Sequence, residues 1–115
     1  MVHHKKKRKL GRELNGRIAL MKSLAYSLVM KEKIKTTDAK ARELRPMIEK
    51  LVTLGRKNNV ASRRLLVSRI GGEAAGKMMK EISPKFEGRA GGYTRITKLP
   101  RRLSDGSLMS VIEFV

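Results

Sequence analysis

Twenty-eight lysines and arginines face ten aspartates and glutamates, leaving a formal net charge of +18 on 115 residues. A compact body carrying that surplus repels itself unless counter-charge is supplied. Acidic membranes or acidic proteins supply some, but nucleic acid is the densest biological source of negative charge. Aromatic residues make up only 3% of the chain. With so few rings, the expected contacts are to phosphate, groove and shape rather than to stacked bases.

The same residues exclude several classes. With no cysteine, there is no disulfide scaffold, thiolate metal site, thiol nucleophile or c-type haem attachment. No apolar run approaches the roughly 18 residues of a membrane span. The basic opening has no apolar stretch behind it and is not read as a secretory signal. The length suits one compact domain with an extension.

Residues 1–13 read as that extension and 14–115 as the body. His3 and His4 precede five consecutive cations, Lys5, Lys6, Lys7, Arg8 and Lys9, and Arg12 follows. Like charges oppose a free helix here, and little apolar surface offsets the ordering entropy. The expectation is an arm disordered alone and ordered against a polyanion.

Within the body, Ile18, Met21, Leu24, Ala25 and Leu28 recur at helical spacing over about Gly16 to Met30, with Asn15 as a candidate N-cap. Ile34 to Thr37 reads as a brief strand, after which Thr37 can cap a helix with Asp38 in its first turn. Ala41, Leu44, Ile48, Leu51, Val52 and Gly55 keep one apolar phase across Pro46. That phase favours one kinked helix over a boundary near Arg45. Val60 to Ile70 is a shorter helix with Ala61 and Leu65 inward, joined by Val67 or Ile70. Gly71-Gly72 breaks it, Glu73 to Ile82 resumes and Pro84 stops. The methionines read as core fillers. Gly88 to Gly92 is a flexible loop. Tyr93 to Leu99 and Leu108 to Val115 read as strands joined across the Asp105-Gly106 turn. On the first, Tyr93, Arg95, Thr97 and Leu99 share a side. Phe114 and Val115 are expected to be structural. The fold class is α+β, with helices packed on a small mixed sheet of about three strands.

A catalytic reading finds little support. Both histidines sit in the arm, remote from every serine, where a triad needs a rigidly supported base. No thiolate or nearby carboxylate joins them as metal ligands. The glycine loop lacks the order of a phosphate-binding P-loop. It either contacts one RNA phosphate through backbone N–H groups and Arg89, or simply leads into the strand. No catalytic residue, cofactor, metal or small-molecule substrate is expected, and no membrane partner. Four basic groups stand as nucleic-acid candidates: the arm from His3 to Arg12; Arg17 and Lys22; Arg56, Lys57, Arg63 and Arg64; and Arg89, Arg95, Lys98, Arg101 and Arg102. An architectural DNA-binding protein is the alternative, without a clear helix-turn-helix to favour it.

Beyond composition, the chain resembles a known family along nearly its whole length. The resemblance begins at Lys9-Leu10-Gly11-Arg12 and continues through Leu24-Ala25-Tyr26-Ser27-Leu28, Glu32-Lys33-Ile34-Lys35-Thr36-Thr37 and Ala39 to Pro46. Its most specific stretch is Arg89-Ala90-Gly91-Gly92-Tyr93-Thr94-Arg95-Ile96, and it closes on Ile112-Glu113-Phe114-Val115. These segments, in this order, resemble the seventeenth-numbered protein family of the bacterial large ribosomal subunit. The resemblance implies a non-enzymatic component that binds large-subunit ribosomal RNA beside neighbouring ribosomal proteins, in the cytoplasm, on the solvent side near the peptide exit. Two departures are local: Gly16-Arg17 stands where the family commonly has His-Arg, and Gly71-Gly72 replaces a charged linker.

Overall fold

The computed structural model describes residues 14–115; the arm, and with it His3, His4, Lys5 to Lys9 and Arg12, lies outside them. The order is α1 (Leu14–Lys31), β1 (Lys33–Thr37), α2 (Asp38–Arg56), α3 (Val60–Lys77), a π turn (Met78–Ile82), a 3-10 turn (Ser83–Phe86), β2 (Thr94–Leu99) and β3 (Met109–Phe114). The α+β class and three strands match the sequence reading.

The sheet corrects one part of it. Its order is β1-β3-β2, and both pairings are antiparallel, so it is not mixed. β1 and β2 do run parallel, but the C-terminal strand enters between them and supplies every ladder bond. Ile34 and Ile96 flank Ile112 across this sheet. Ile112 is fully buried, and the two flanking isoleucines pack on the core from their half-buried positions.

α2 is the central helix. Thr37 caps it as expected, its Oγ1 accepting the Lys40 N–H at 3.4 Å. The helix runs through Pro46 unbroken, and Ala41, Leu44, Ile48, Leu51 and Val52 are all buried. Pro46 sits on the exposed side, where a carbonyl without its helical donor can meet water.

Asn15 lies inside α1 rather than capping it, since the described helix already includes Leu14. Its core residues are Ala25, Leu28 and Val29. Ile18 shares the apolar spacing but is 47% exposed. Helical spacing fixes a face, not how far along the helix that face is covered.

α3 needs a larger correction. Ala61, Leu65 and Val67 are exposed; Ser62, Leu66 and Ile70 are buried. The buried set continues with Ala74, Met78, Ile82 and Phe86, a strict four-residue step. On an ideal α-helix that step drifts by about 40° each time, so one straight helix cannot bury all seven. The chain departs from the ideal twice. Gly71 leaves helical geometry at φ 86°, ψ 166°, a conformation glycine adopts without a Cβ penalty. The π turn then lengthens the repeat. The expected break at Gly71-Gly72 is therefore present.

Candidate nucleic-acid interface

α2 is amphipathic, and its other face carries polar side chains at helical spacing: Arg45, Glu49, Thr53 and Arg56. All four reach the segment from Arg89 to Thr94. The Glu49 carboxylate is the centre. Its Oε1 accepts the Gly92 N–H at 3.0 Å, and its Oε2 accepts the N–H of Tyr93 at 3.0 Å and of Thr94 at 3.2 Å. Thr94 Oγ1 donates to the same Oε2 at 3.0 Å. Arg45 reinforces this end, donating through Nη2 to the Thr94 carbonyl at 3.3 Å.

One turn further along, the Tyr93 ring is buried against Phe86 at a centroid distance of 5.1 Å. β2 begins at Thr94, so Tyr93 precedes the strand and turns into the core instead of sharing the outer side with Arg95. Its hydroxyl donates to the Arg89 carbonyl at 2.9 Å and accepts Arg56 Nη1 at 2.9 Å, with Thr53 Oγ1 at 3.3 Å. The hydroxyl pKa lies below the usual 10.0: the Thr53 bond lowers it first, then Arg56, while burial opposes them. Arg56 Nη1 also donates to the Arg89 carbonyl.

This geometry decides what the glycine loop can offer an anion. The N–H groups of Gly92, Tyr93 and Thr94 already serve an internal carboxylate, and the Arg89 N–H bonds the Phe86 carbonyl at 2.9 Å. The charged group that the loop presents outward is the exposed Arg89 side chain, and the Arg89 carbonyl accepts from both Tyr93 and Arg56. A cleft of about 430 Å³ lies beside it, lined by Lys50, Thr53, Arg56, Lys57 and Tyr93 among others.

The candidate cations sort accordingly. Arg56 is half-buried and engaged within the protein, so it positions Arg89 and Tyr93. Lys57, Arg63, Arg64 and Arg89 are exposed and form no ion pair among the described residues. They gather around the α2–α3 junction, where Asn59 caps α3 by accepting the Ser62 N–H at 2.8 Å. The fourth group is split. β2 carries Arg95 and Lys98, and Arg101 and Arg102 follow its far end, about 20 Å of strand away from Arg89. Arg95 pairs with Glu113 at 3.3 Å and Arg102 with Asp105 at 2.7 Å, and Arg101 donates to the Gly106 carbonyl at 2.8 Å. Lys98 is exposed. Arg17 is half-buried near the start of α1 and Lys22 is exposed one turn on.

Sequence reading missed Glu49, Thr53 and Arg45 as organisers of the site. Their signal was the polar stripe on an otherwise core-facing helix. It also passed over Lys33 and Lys35, exposed on the outer face of β1 beside Glu113 and Val111.

Comparison with known proteins places this arrangement. The family model described as ribosomal protein L17 matches residues 20–115, a span that holds α2, the strapped loop and the whole sheet. The chain belongs to the ribosomal protein L17 family. It is 48% identical to the large ribosomal subunit protein bL17 of Hydrogenobaculum sp. (strain Y04AAS1), covering 100% of this chain and 99% of that one. Identity is 47% to the bL17 of Methylacidiphilum infernorum (isolate V4), over 99% of this chain and 88% of the other. For Thermomicrobium roseum it is 43%, over 100% and 99%. The family is a structural, non-enzymatic class of ribosomal protein.

Proposed function

We propose that this chain is a structural constituent of the large ribosomal subunit that binds and stabilises folded ribosomal RNA without catalysis. The observation that carries the reading is similarity to large-subunit proteins over the full length, in a chain with a net charge of +18. The geometry supports it. Arg89, Lys57, Arg63 and Arg64 stand exposed on backbone that is already ordered, so only their side chains lose entropy when they meet a phosphate. Arg89 can grip phosphate bidentately, whereas Lys57 acts as a mobile point charge. Residues 1–13 act as a basic extension that orders on RNA, while residues 14–115 dock as a preformed body. Together they neutralise repulsion between packed RNA helices. Lys22, Arg95 and Lys98 form a second set of contacts, and neighbouring ribosomal proteins complete the surroundings.

The test is sedimentation of a native extract with detection of this chain across the gradient at low and high salt. Stoichiometric migration with the large subunit, resisting moderate salt, is expected. Migration as free protein or with DNA overturns the reading. Deleting residues 1–13 is expected to weaken assembly and leave the body folded; unchanged assembly removes the arm from the mechanism.

A further inference from the structure

Exposed cations recur along most of the described chain, and the tip between β2 and β3 departs from that rule. All 28 lysines and arginines lie at or before Arg102. Beyond it, the lack of cations in β3 follows from burial, since Met109, Ser110 and Ile112 are buried. Residues 103–108 have no such reason. They are a loop open to water, and their large side chains are Leu103, fully exposed, and Leu108, 51% exposed.

Scattered exposed leucines are ordinary on protein surfaces. This one is held. Arg102 N–H donates to the Ser107 carbonyl at 2.9 Å, and Gly106 N–H donates to the Arg102 carbonyl at 2.7 Å. The Arg102 guanidinium bonds both Asp105 oxygens, at 3.0 and 2.7 Å, and Asp105 Oδ1 also accepts the Ser107 N–H at 3.0 Å. From the other side Arg101 clasps the Gly106 carbonyl. The two cations next to the tip are thus turned back onto the loop, and one is neutralised by Asp105. What projects is an apolar side chain on a frame that is already ordered, the form of an interface anchor whose ordering cost is met in advance.

We propose that the tip of the β2–β3 hairpin is a protein-docking element, with Leu103 seated in an apolar pocket of a neighbouring protein of the same particle. The proposal rests on the ribosomal reading above and assigns this end of the molecule to protein rather than RNA. An RNA-facing loop of this chain would keep its cations free and outward, as the α2–α3 junction does.

The test uses assembled particles. Leu103 is replaced by photoreactive p-benzoylphenylalanine in the full chain, large subunits are purified and irradiated, and adducts are identified. An adduct with one subunit protein, mapped to an apolar peptide, is expected. An adduct with RNA, or none above the irradiated wild type, overturns the proposal and leaves the ribosomal reading standing. If wild-type chain does not sediment with the large subunit, the parent reading fails and the proposal with it. A second measurement compares wash-off at high salt, which screens phosphate contacts but not apolar ones. Leu103→Asp is expected to be released about tenfold more readily than wild type and Leu103→Met to behave like wild type. Equal release of all three overturns the proposal.

Discussion

Glu49 holds Thr94 twice through one carboxylate oxygen, by the backbone N–H at 3.2 Å and the hydroxyl at 3.0 Å. The pair ties the middle of α2 to the first residue of β2, and the same carboxylate holds Gly92 and Tyr93. Removing it leaves three backbone donors without their partner. Glu49→Ala is expected to cost about 2 kcal/mol, the scale of hydrogen bonds to a charged acceptor. Chemical denaturation reads the cost. Hydrogen exchange locates it, with faster exchange at Gly92, Tyr93 and Thr94 and unchanged protection in α3. Uniform loss of protection would mean that Glu49 supports the whole body rather than the loop.

Gly55 sits where α2 meets the turn after α3. A Cβ there would collide with Ser83 Oγ and lie 3.1 Å from Met78 Cγ. Ser83 cannot swing aside freely, because its hydroxyl donates to the Val52 carbonyl at 3.1 Å in a buried setting. Gly55→Ala should therefore destabilise by about 1–3 kcal/mol, as overpacking does. In a double-mutant cycle, Ser83→Ala removes the clashing oxygen. The pair is expected to cost less than the sum of the single changes, and additivity would show that the close approach does not set the cost.

What the sequence made legible was whatever local chemistry decides. The Thr37 cap, the unbroken apolar phase across Pro46 and the glycine break at Gly71 each follow from a few neighbouring residues. Two kinds of fact did not. Adjacent Leu65 and Leu66 have the same hydropathy, and only the packing of α3 decides that Leu66 goes in. The antiparallel sheet depends on which strand takes the centre, a long-range choice that turn signals leave open. At the site, cations are conspicuous by composition, but the groups that orient them are a glutamate and a threonine. Arg56 and Arg63 look alike in sequence, and only the burial of Tyr93 beside Arg56 separates them.

Glu32 makes the fold sensitive to acid. It joins α1 to β1 with a left-handed φ of 65° and pairs with Lys77 at 3.2 Å and Lys85 at 3.3 Å. Its carboxyl pKa lies below the ordinary 4.5, through the hydrogen bond from Lys77 first and Lys85 after it, with burial opposing. A group whose pKa falls on folding stabilises the fold above its unfolded value. That contribution is lost as pH falls through the lower folded value. The side chain is 38% exposed, so screening limits the gain to about 1 kcal/mol or less. Thermal unfolding of Glu32→Gln should show a deficit against wild type at neutral pH that shrinks below pH 4.5. A deficit that stays constant into acid would assign the cost to altered hydrogen bonding or packing of the side chain rather than to its charge.

Arg56 and Arg63 should part company when each is changed. Arg63 is exposed on the first turns of α3, and Arg63→Ala is expected to leave stability within about 0.5 kcal/mol of wild type. If it meets a phosphate, the slope of log affinity against log salt for structured ribosomal RNA falls by about 1. Arg64→Ala should act in the same way. Arg56 is bonded to the Tyr93 hydroxyl and the Arg89 carbonyl, so Arg56→Ala should lower stability by about 1–2 kcal/mol. Arg56→Lys discriminates further. A single ammonium keeps the charge but not the planar fork, so much of the stability loss should remain while the salt slope changes little. A slope lowered by about 1 in Arg56→Ala, with intact stability, would make Arg56 a phosphate contact and not the brace for Arg89. Titrations at several salt concentrations, paired with denaturation of the same variants, separate the two roles.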